Sequence, residues 1–434
     1  MTDTTNDIVL NTPLLPPGTL MASDFDVELP GAKWLGRLGL LGRLGRLGLL
    51  GRLGWLLGGV GLAVMVGIVA ASLAPATLVA EKENRRLMEM QEAPFAQTPA
   101  SAESVNERVV FGDLPDEVKR FETNGDFFFV TVSAPEQSLL SWFAGRGEPA
   151  IDLLTAEEKF GVRTPSQRRE AALQQMRSAS QEAQFVALTA AGYKPEISLG
   201  EVVVQEVLCR EVGDDGLCAE FFPSGLAIDP SDTILEAEGK ELNSVEDLSA
   251  VLDAKLPGDM IDLKIRRPDV GILDVTVELA ASPDDPARTI VGFRPFDTRV
   301  VTLPFEVDID TGRIGGPSAG LAFTLALIDE LTAGDLTGGR NIAVTGTISL
   351  DGSVGPIGGL SQKASAVRQH NVDVFLVPAS QRELAEGEDE LRKKLNDAGH
   401  GDVEIIPVAT LEEALQALED LGGDPLVPVD VALS

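Results

Sequence analysis

The sequence predicts a multi-domain α+β protein with one membrane-spanning helix, a β-rich module and a C-terminal α/β domain. Three observations support this prediction. An uncharged apolar run covers residues 55–80, and short strands alternate with one helix over residues 195–280. Two glycine-rich turns within residues 315–370 each precede a helical pattern. The expected segments are a tail at 1–54, the membrane helix at 55–80, a linker with strands and a helix at 81–194, the module at 195–285, and the last domain at 286–434.

The charge of the chain excludes one class of partner. Its 68 acidic residues outnumber 35 basic ones, which gives a formal charge of −33. A surface this negative repels phosphate backbones, so we expect no nucleic-acid partner.

His370 and His400 are the only histidines, and no cluster of His and Cys has metal-ligand spacing. The sequence therefore predicts no metal site and no cofactor.

The apolar run at 55–80 is longer than the ~20 residues that cross a bilayer core. Five basic residues and no acidic ones lie in residues 33–54, which predicts a cytoplasmic N-terminus and residues 81–434 on the other side. We therefore expect a single-pass protein of the cell membrane. The alternative is a cleaved signal peptide, because Ala-Pro-Ala at 74–76 resembles a cleavage site. The Arg/Gly-rich repeat before the run either binds anionic headgroups or acts only as a topology signal.

Residues 81–194 carry two clear signals after a polar stretch. Residues 81–110 are typical of a linker, and 124–134 combine an Asn-Gly turn with a buried strand pattern. A long helix follows, with Thr164 as N-cap, Pro165 in the first position and Gly192 at the end.

The run PSDTILEAEGKELNSVEDLSAVLDAKLPGDMIDLKIRR, with a helix that begins at Ser244, resembles the second half of a PDZ domain. Ser231 replaces the glycine of the usual turn. PDZ domains bind an extended peptide, usually a C-terminus, at a sheet edge, so the resemblance implies binding of substrate tails. A purely structural module is the alternative.

Cys209 and Cys218 form a disulfide if they face an oxidising compartment, or remain buried thiols.

Ser318 is the candidate nucleophile. The residues Gly315, Gly316 and Pro317 break the chain just before it, and a helical pattern then continues to about Thr332. Ser318 is therefore expected at a helix N-terminus, where free N–H groups suit the oxyanion of a tetrahedral intermediate. A serine needs a base to become a nucleophile.

Lys363 is the candidate base. The second glycine-rich turn, at 355–359, precedes a helix with Ser361 as the expected N-cap, which places Lys363 in the first turn. The positive end of the helix and burial both disfavour an ammonium ion, so the lysine pKa is expected to fall. Lys363 then accepts the serine proton near neutral pH. His370, two helical turns further on, is interpreted as a surface or packing residue rather than a catalytic base.

The segments GGPSAGL (315–321), AVTGTISLDGSVGPIGG (343–359) and LSQKASA (360–366) resemble the proteolytic domain of Lon proteases. The resemblance covers about residues 290–420. With the apolar run and the PDZ-like module, the chain resembles bacterial membrane-anchored Lon-like serine proteases. This implies Ser318 as nucleophile and Lys363 as general base. The supporting residues it implies are Thr345, which holds the lysine, and Gly316 and Pro317, which shape the oxyanion turn.

Two departures refine the function that the resemblance implies. Gly315 replaces an aspartate that many Lon enzymes carry, and no GxxxxGK[ST] motif is present. We therefore expect an ATP-independent endopeptidase that cleaves unfolded or accessible protein chains with a Ser-Lys dyad. The resemblance also implies a homohexamer, and the apolar run predicts contact with the lipid bilayer. The alternative function is a catalytically silent PDZ adaptor or scaffold at the membrane.

Overall fold

The computed structural model describes residues 48–84, 89–161, 164–213, 218–268, 270–372, 374–381, 388–399 and 403–430. Most of the predicted tail and its repeat, together with His400, lie outside these ranges. The chain divides into two compact units, residues 1–68 and 69–434.

The helices of the described residues are α1 (Gly48–Leu73), α2 (Leu139–Gly145), α3 (Ala156–Phe160), α4 (Pro165–Ala190), α5 (Val245–Leu252), α6 (Gly320–Leu331), α7 (Leu360–Gln369), α8 (Glu388–Gly399) and α9 (Leu411–Asp420).

The strands of the first half are β1 (Glu81–Asn84), β2 (Glu89–Glu92), β3 (Phe95–Ser104), β4 (Val109–Phe111), β5 (Asp126–Ser133), β6 (Asp152–Leu154), β7 (Glu196–Val207), β8 (Cys209–Val212) and β9 (Cys218–Phe221). The remaining strands are β10 (Thr233–Ala237), β11 (Lys240–Glu241), β12 (Met260–Arg267), β13 (Gly271–Glu278), β14 (Ala280–Ala281), β15 (Thr289–Ile290), β16 (Phe293–Thr302), β17 (Val307–Ile309), β18 (Asn341–Val344), β19 (Thr347–Ile348), β20 (Val354–Gly355), β21 (Val374–Pro378) and β22 (Glu404–Val408).

Helix α1 differs from the helix predicted at 55–80. It ends at Leu73, ahead of Pro75, which has no N–H for a helical hydrogen bond and disfavours helical geometry in the residue before it. Beyond that proline, Ala76 and Ala80 are fully buried. Within the described ranges, we find no helix with both the length and the apolar character needed to cross a membrane. The transmembrane helix predicted from the sequence is therefore not supported.

The central sheet has the strand order β22-β21-β18-β5-β3-β6. Strands β5, β18, β21 and β22 are parallel, whereas β3 is antiparallel to β5 and β6. Their side chains alternate between the two faces: Ile342 and Val344 of β18 face the core that contains α4, α6 and α9, whereas Ala343 faces the core of α7 and α8. The arrangement is a three-layer sandwich with the sheet in the middle.

The interpretation of residues 81–110 as a linker is wrong. Residues 95–104 form β3, an inner strand that pairs with both β5 and β6. Strands from 95–154 and from 341–408 thus belong to one sheet, so these two parts of the chain fold together. The sequence of β3, FAQTPASAES, concealed this strand because it contains a proline and few β-branched or aromatic residues.

A second sheet, from residues 196–302, has the order β13-β12-β10-β7-β16, with β11 paired to β10. This sheet has a hydrophobic core of its own, to which helix α5 contributes Leu248 and Val251. Strand β16 forms one edge of this sheet and pairs with β7 over most of its length. Ser231 adopts a left-handed backbone conformation with φ 71°, which explains why a glycine is usual at that position of the turn.

Several local predictions are confirmed. Thr164 caps α4 in a capping box with Gln167, and Pro165 is the first residue of the helix. Ser244 caps α5, and the strand expected at 124–134 is β5. The sequence left two alternatives open for Cys209 and Cys218, and the structure has the disulfide, which joins β8 and β9.

Candidate active site

Ser318, Thr345 and Lys363 meet at the carboxyl end of β18. Thr345 directly follows this strand, and the N-terminal ends of α6 and α7 approach it from opposite faces of the sheet. The N–H of Gly346 donates to the Ser318 carbonyl at 2.9 Å, and Thr345 Oγ1 donates to the same oxygen at 3.1 Å. The strand end therefore fixes the backbone of the serine segment. In α/β sheets, ligand sites commonly lie at this edge of the parallel strands.

The segment that carries Ser318 is a tight turn rather than the first turn of a helix. Helix α6 begins at Gly320 with Ala319 as its N-cap, so Ser318 lies two residues before the first helical residue. Gly316 has φ 94°, a conformation that favours glycine. Every residue of α6 is buried, which fixes the helix and with it the position of the turn.

Lys363 is positioned by the glycine turn at the start of α7. The N-cap is Gly359, in a left-handed conformation with φ 70°, so the prediction of Ser361 as N-cap is wrong. A Cβ atom at Gly359 would lie 2.8 Å from Gln97 Nε2 and 3.0 Å from a methyl group of Val132. The left-handed backbone conformation, together with this close approach of β3 and β5, favours glycine at this position. Lys363 is the fourth residue of the helix, in its first turn as expected.

The side chains of the three residues form a short chain of hydrogen bonds. Lys363 Nζ lies 2.7 Å from Ser318 Oγ and 2.8 Å from Thr345 Oγ1. Lys363 is 2% exposed and Thr345 is fully buried, whereas Ser318 is partly exposed. The serine is thus partly accessible, while the amine that contacts its hydroxyl is shielded from water.

Burial lowers the pKa of Lys363 from its ordinary value of 10.5 to about 7, because the ammonium ion loses its hydration. Near neutral pH a large fraction of the lysine is then a neutral amine. In that form an N–H donates to Thr345 Oγ1, and the nitrogen lone pair accepts the proton of the Ser318 hydroxyl. The arrangement is that of a nucleophile beside its base.

Backbone N–H groups next to the Ser318 side chain differ in whether they are already hydrogen-bonded. Gly316 donates its N–H to the Ala172 carbonyl at 2.7 Å, and Pro317 has no N–H. No described residue accepts a hydrogen bond from the N–H of Ser318 or Ala319. The predicted contribution of Gly316 and Pro317 is therefore to shape the turn, whereas the free donors come from the two residues that follow.

Sequence reasoning missed the part that α4 takes in this site. Its Ala172 holds the serine turn through the bond to Gly316, and a Cβ atom at Gly315 would lie 2.8 Å from Ala172 Cβ. The aspartate of many Lon enzymes at this position would collide with the helix. The repeated small residues of α4 mark a closely packed helix, but they do not indicate which loop it contacts.

The other ionisable candidates do not join the site. His370 is the C-cap of α7, and its Nδ1 lies 2.8 Å from the Ala366 carbonyl oxygen. His370 is exposed, which agrees with its interpretation as a surface residue rather than as a catalytic base. Among the described side chains, no group of three or more His, Cys, Asp or Glu is placed to hold a metal ion.

Replacing Thr345 by valine is expected to lower kcat about 10- to 100-fold with little change in KM. Valine keeps the volume but removes the hydroxyl that accepts from Lys363 Nζ and donates to the Ser318 carbonyl. Steady-state cleavage rates measure this effect, and Thr345→Ser is the matched control because serine keeps the hydroxyl. Equal losses in the serine and valine variants would show that the methyl group matters rather than the hydroxyl.

Comparison with known proteins places the same residues in one family region. Residues 307–419, which contain Ser318, Thr345 and Lys363, match the Lon protease (S16) C-terminal proteolytic domain. The Lon protease of Chloroflexus aggregans is 31% identical over 157 residues, 34% of this chain and 18% of that protein. The Lon protease of Escherichia coli is 37% identical over 101 residues, 23% of this chain and 12% of that protein. The chain thus spans less than a fifth of the length of these two curated relatives.

Among solved structures, the PDZ domain of the SdrC-like protein from Listeria monocytogenes is similar to part of the chain. It is 16% identical, covers 23% of this chain and 92% of that domain, and has a TM-score of 0.18.

Proposed function

We propose that this chain is a Lon-type serine endopeptidase that hydrolyses unfolded or accessible protein chains without nucleotide. The observation that carries the proposal is the buried Lys363 amine at 2.7 Å from the hydroxyl of Ser318, a residue that is partly exposed. The match of residues 307–419 to the Lon proteolytic domain supports it.

The proposed reaction uses the dyad twice. Neutral Lys363 takes the hydroxyl proton of Ser318 as Oγ attacks the carbonyl carbon of the scissile peptide bond. The N–H groups of Ser318 and Ala319 stabilise the resulting oxyanion. The lysine ammonium then donates its proton to the leaving amine, which leaves an acyl-serine. Water then attacks this ester while Lys363 takes a proton from it. The lysine ammonium returns that proton to Ser318 Oγ as the ester bond breaks, which releases the carboxylic acid product and restores the neutral amine.

The rate of cleavage is expected to rise with pH through the range around 7. Only the neutral amine acts as base, and the pKa of Lys363 is lowered to about 7 by burial. A profile of kcat/KM against pH, recorded on a short peptide, therefore has a rising limb centred near 7. A limb centred near 10 would mean that the lysine is hydrated in solution. Loss of the limb in His370→Ala would assign the base to the histidine instead.

Cleavage of an unfolded protein by the full chain, in buffer without nucleotide, tests the proposal directly. We expect peptide products at a rate that ATP does not change. A chain that binds the substrate but produces no fragments would favour the adaptor or scaffold function. A strict requirement for ATP would contradict the nucleotide-independent mechanism.

We also propose that the second sheet acts as a PDZ-like module that captures substrate tails. Support comes from the exposed edge position of β16 and from α5 beside it, where Asp297 Oδ1 of β16 accepts the N–H of Val245 at 2.7 Å. An extended peptide that adds to such an edge gains main-chain hydrogen bonds. Binding of C-terminal peptides to Ser318→Ala, compared with the same peptides amidated at the C-terminus, measures this preference.

The remaining proposals concern the surroundings of the protease. A homohexameric assembly rests on the family resemblance, and the mass of the particle in solution tests it. Attachment to the cell membrane, with the catalytic region outside the cytoplasm, is supported by the apolar run and by the exposed apolar side chains between Val60 and Leu73. Protease accessibility of residues 81–434 in intact cells would decide the topology.

A further inference from the structure

A cavity of about 310 Å³ lies between the second sheet and the serine turn. One wall is the face of α4 that carries Gln174, Ser178 and Glu182. The opposite wall comes from β7 and from residues 296–299 of β16. Pro317 and Thr347 close the end next to the catalytic centre. The same space is therefore bordered by the proposed tail-binding strand and by the residue that precedes Ser318.

We propose that this cavity is a binding subsite for an extended segment of the substrate polypeptide, between the edge of β16 and Ser318. The inference rests on the proposed protease function and adds the place where the chain is held. A volume of this size is at the lower end of ligand pockets and suits a few residues of extended chain rather than a folded element.

The chemistry of the walls matches a peptide backbone. Side-chain amides from Gln175, Gln181 and Gln205 line the cavity, and no hydrogen bond joins the Gln181 or Gln205 amide to another described residue. Each amide offers N–H donors and a carbonyl acceptor, the same groups that a peptide unit requires. Recognition through the backbone tolerates many sequences, as a protease of unfolded chains requires.

The ends of the cavity are held in place by contacts that tie α4 to both neighbours. Arg299 of β16 lies 3.4 Å from Glu182, and Ser231 Oγ donates to the Glu170 carbonyl at 3.4 Å. Ala172 accepts the N–H of Gly316 in the serine turn. One helix thus sets the distance between the second sheet and the nucleophile, so a chain held along it reaches Ser318 in a defined register.

Filling the cavity tests the proposal with two variants from different walls, Ser178→Trp on α4 and Gln205→Trp on β7. The matched control is Arg168→Trp, on an exposed part of α4 that does not line the cavity. Two rates are measured on the full chain: kcat/KM for an unfolded protein, and labelling of Ser318 by a small fluorophosphonate. The label needs only the nucleophile, its base and the oxyanion donors.

We expect both filling variants to lose at least about tenfold in kcat/KM for the protein, with labelling within about twofold of the unchanged chain. The control is expected to keep both rates. Protein cleavage within twofold in the two filling variants would overturn the subsite and leave the proposed function intact. Parallel loss of labelling and cleavage would also overturn it, because the cavity would then only support the dyad. Absence of labelling and cleavage in the unchanged chain would remove the proposed function, and the subsite with it.

Discussion

Replacing Lys363 by methionine is expected to lower cleavage at least about 10³-fold while leaving the fold intact. Methionine has a similar volume and length, so the buried site remains filled. The variant has no base within reach of Ser318 Oγ, because the 2.7 Å contact comes from the lysine amine. Fragment yield from an unfolded protein measures the loss.

The same variant is expected to be more stable than the unchanged chain near neutral pH, by on the order of 5 kcal/mol. The pKa of Lys363 is about 7 in the folded chain against 10.5 as a model value, because burial disfavours the charged form. Between these values the unfolded chain binds more protons, so the stability of the unchanged chain rises from pH 7 to 10.5. The advantage of methionine is therefore largest at or below pH 7 and disappears above about 10.5.

Ser318→Ala provides the matched control for these two effects. It removes the nucleophile and is also expected to lower cleavage at least about 10³-fold, but it leaves Lys363 in place. Its stability should therefore keep the pH dependence of the unchanged chain. The double variant is expected to cleave no more slowly than either single one, since the two residues act as a unit. Cleavage that persists in either single variant would contradict the Ser-Lys mechanism.

The sequence predicted the parts of the site that depend on local chemistry. The glycines around positions 316 and 359 predicted the two turns. Ser318, Thr345 and Lys363 were identified because each lies in a short motif, and the motifs follow one another in the expected order. What could not be predicted depends on contacts between distant residues. The N-cap of α7 is Gly359 rather than Ser361, and this glycine takes its left-handed conformation close to β3 and β5. Strand β3 was itself not predicted, because its segment has weak strand propensity.

The role of α4 illustrates the same limit at the level of the domain. Its start, its capping box and its length follow from residues 164–192. The sequence pattern does not show, however, which parts of the protein the helix packs against. Only the packed structure places Ala172 against the serine turn and Glu182 beside Arg299. A helix that the sequence marks as simple packing therefore becomes a wall of the proposed substrate path.

Asp329 is a second buried ionisable group, at the opposite end of the helix that follows Ser318. It is 1% exposed; Oδ1 accepts the N–H of Leu336 at 2.8 Å, whereas Oδ2 has no partner among the described residues. Burial, reinforced by the neighbouring carboxylates of Asp335, Glu330 and Asp126, raises its pKa from 3.8 to about 7. A carboxylate at the C-terminal end of a helix is also disfavoured by the helix dipole.

Asp329→Asn is therefore expected to change the pH dependence of stability by on the order of 3 kcal/mol between pH 4 and 8. The folded chain binds the proton of Asp329 more tightly than the unfolded chain, so the unchanged protein loses stability as the pH rises from about 4 to 7. Asparagine keeps the acceptor for Leu336 and does not titrate. At pH 4 the Asp329→Asn variant is no more stable than the unchanged chain, because the buried NH₂ group of the asparagine has no partner. At pH 8 the variant is more stable than the unchanged chain.

Denaturant unfolding at the two pH values measures the change, with the exposed Asp284→Asn as control. A difference between Asp329→Asn and the unchanged chain that is the same at both pH values would mean that this carboxyl titrates normally in the folded protein.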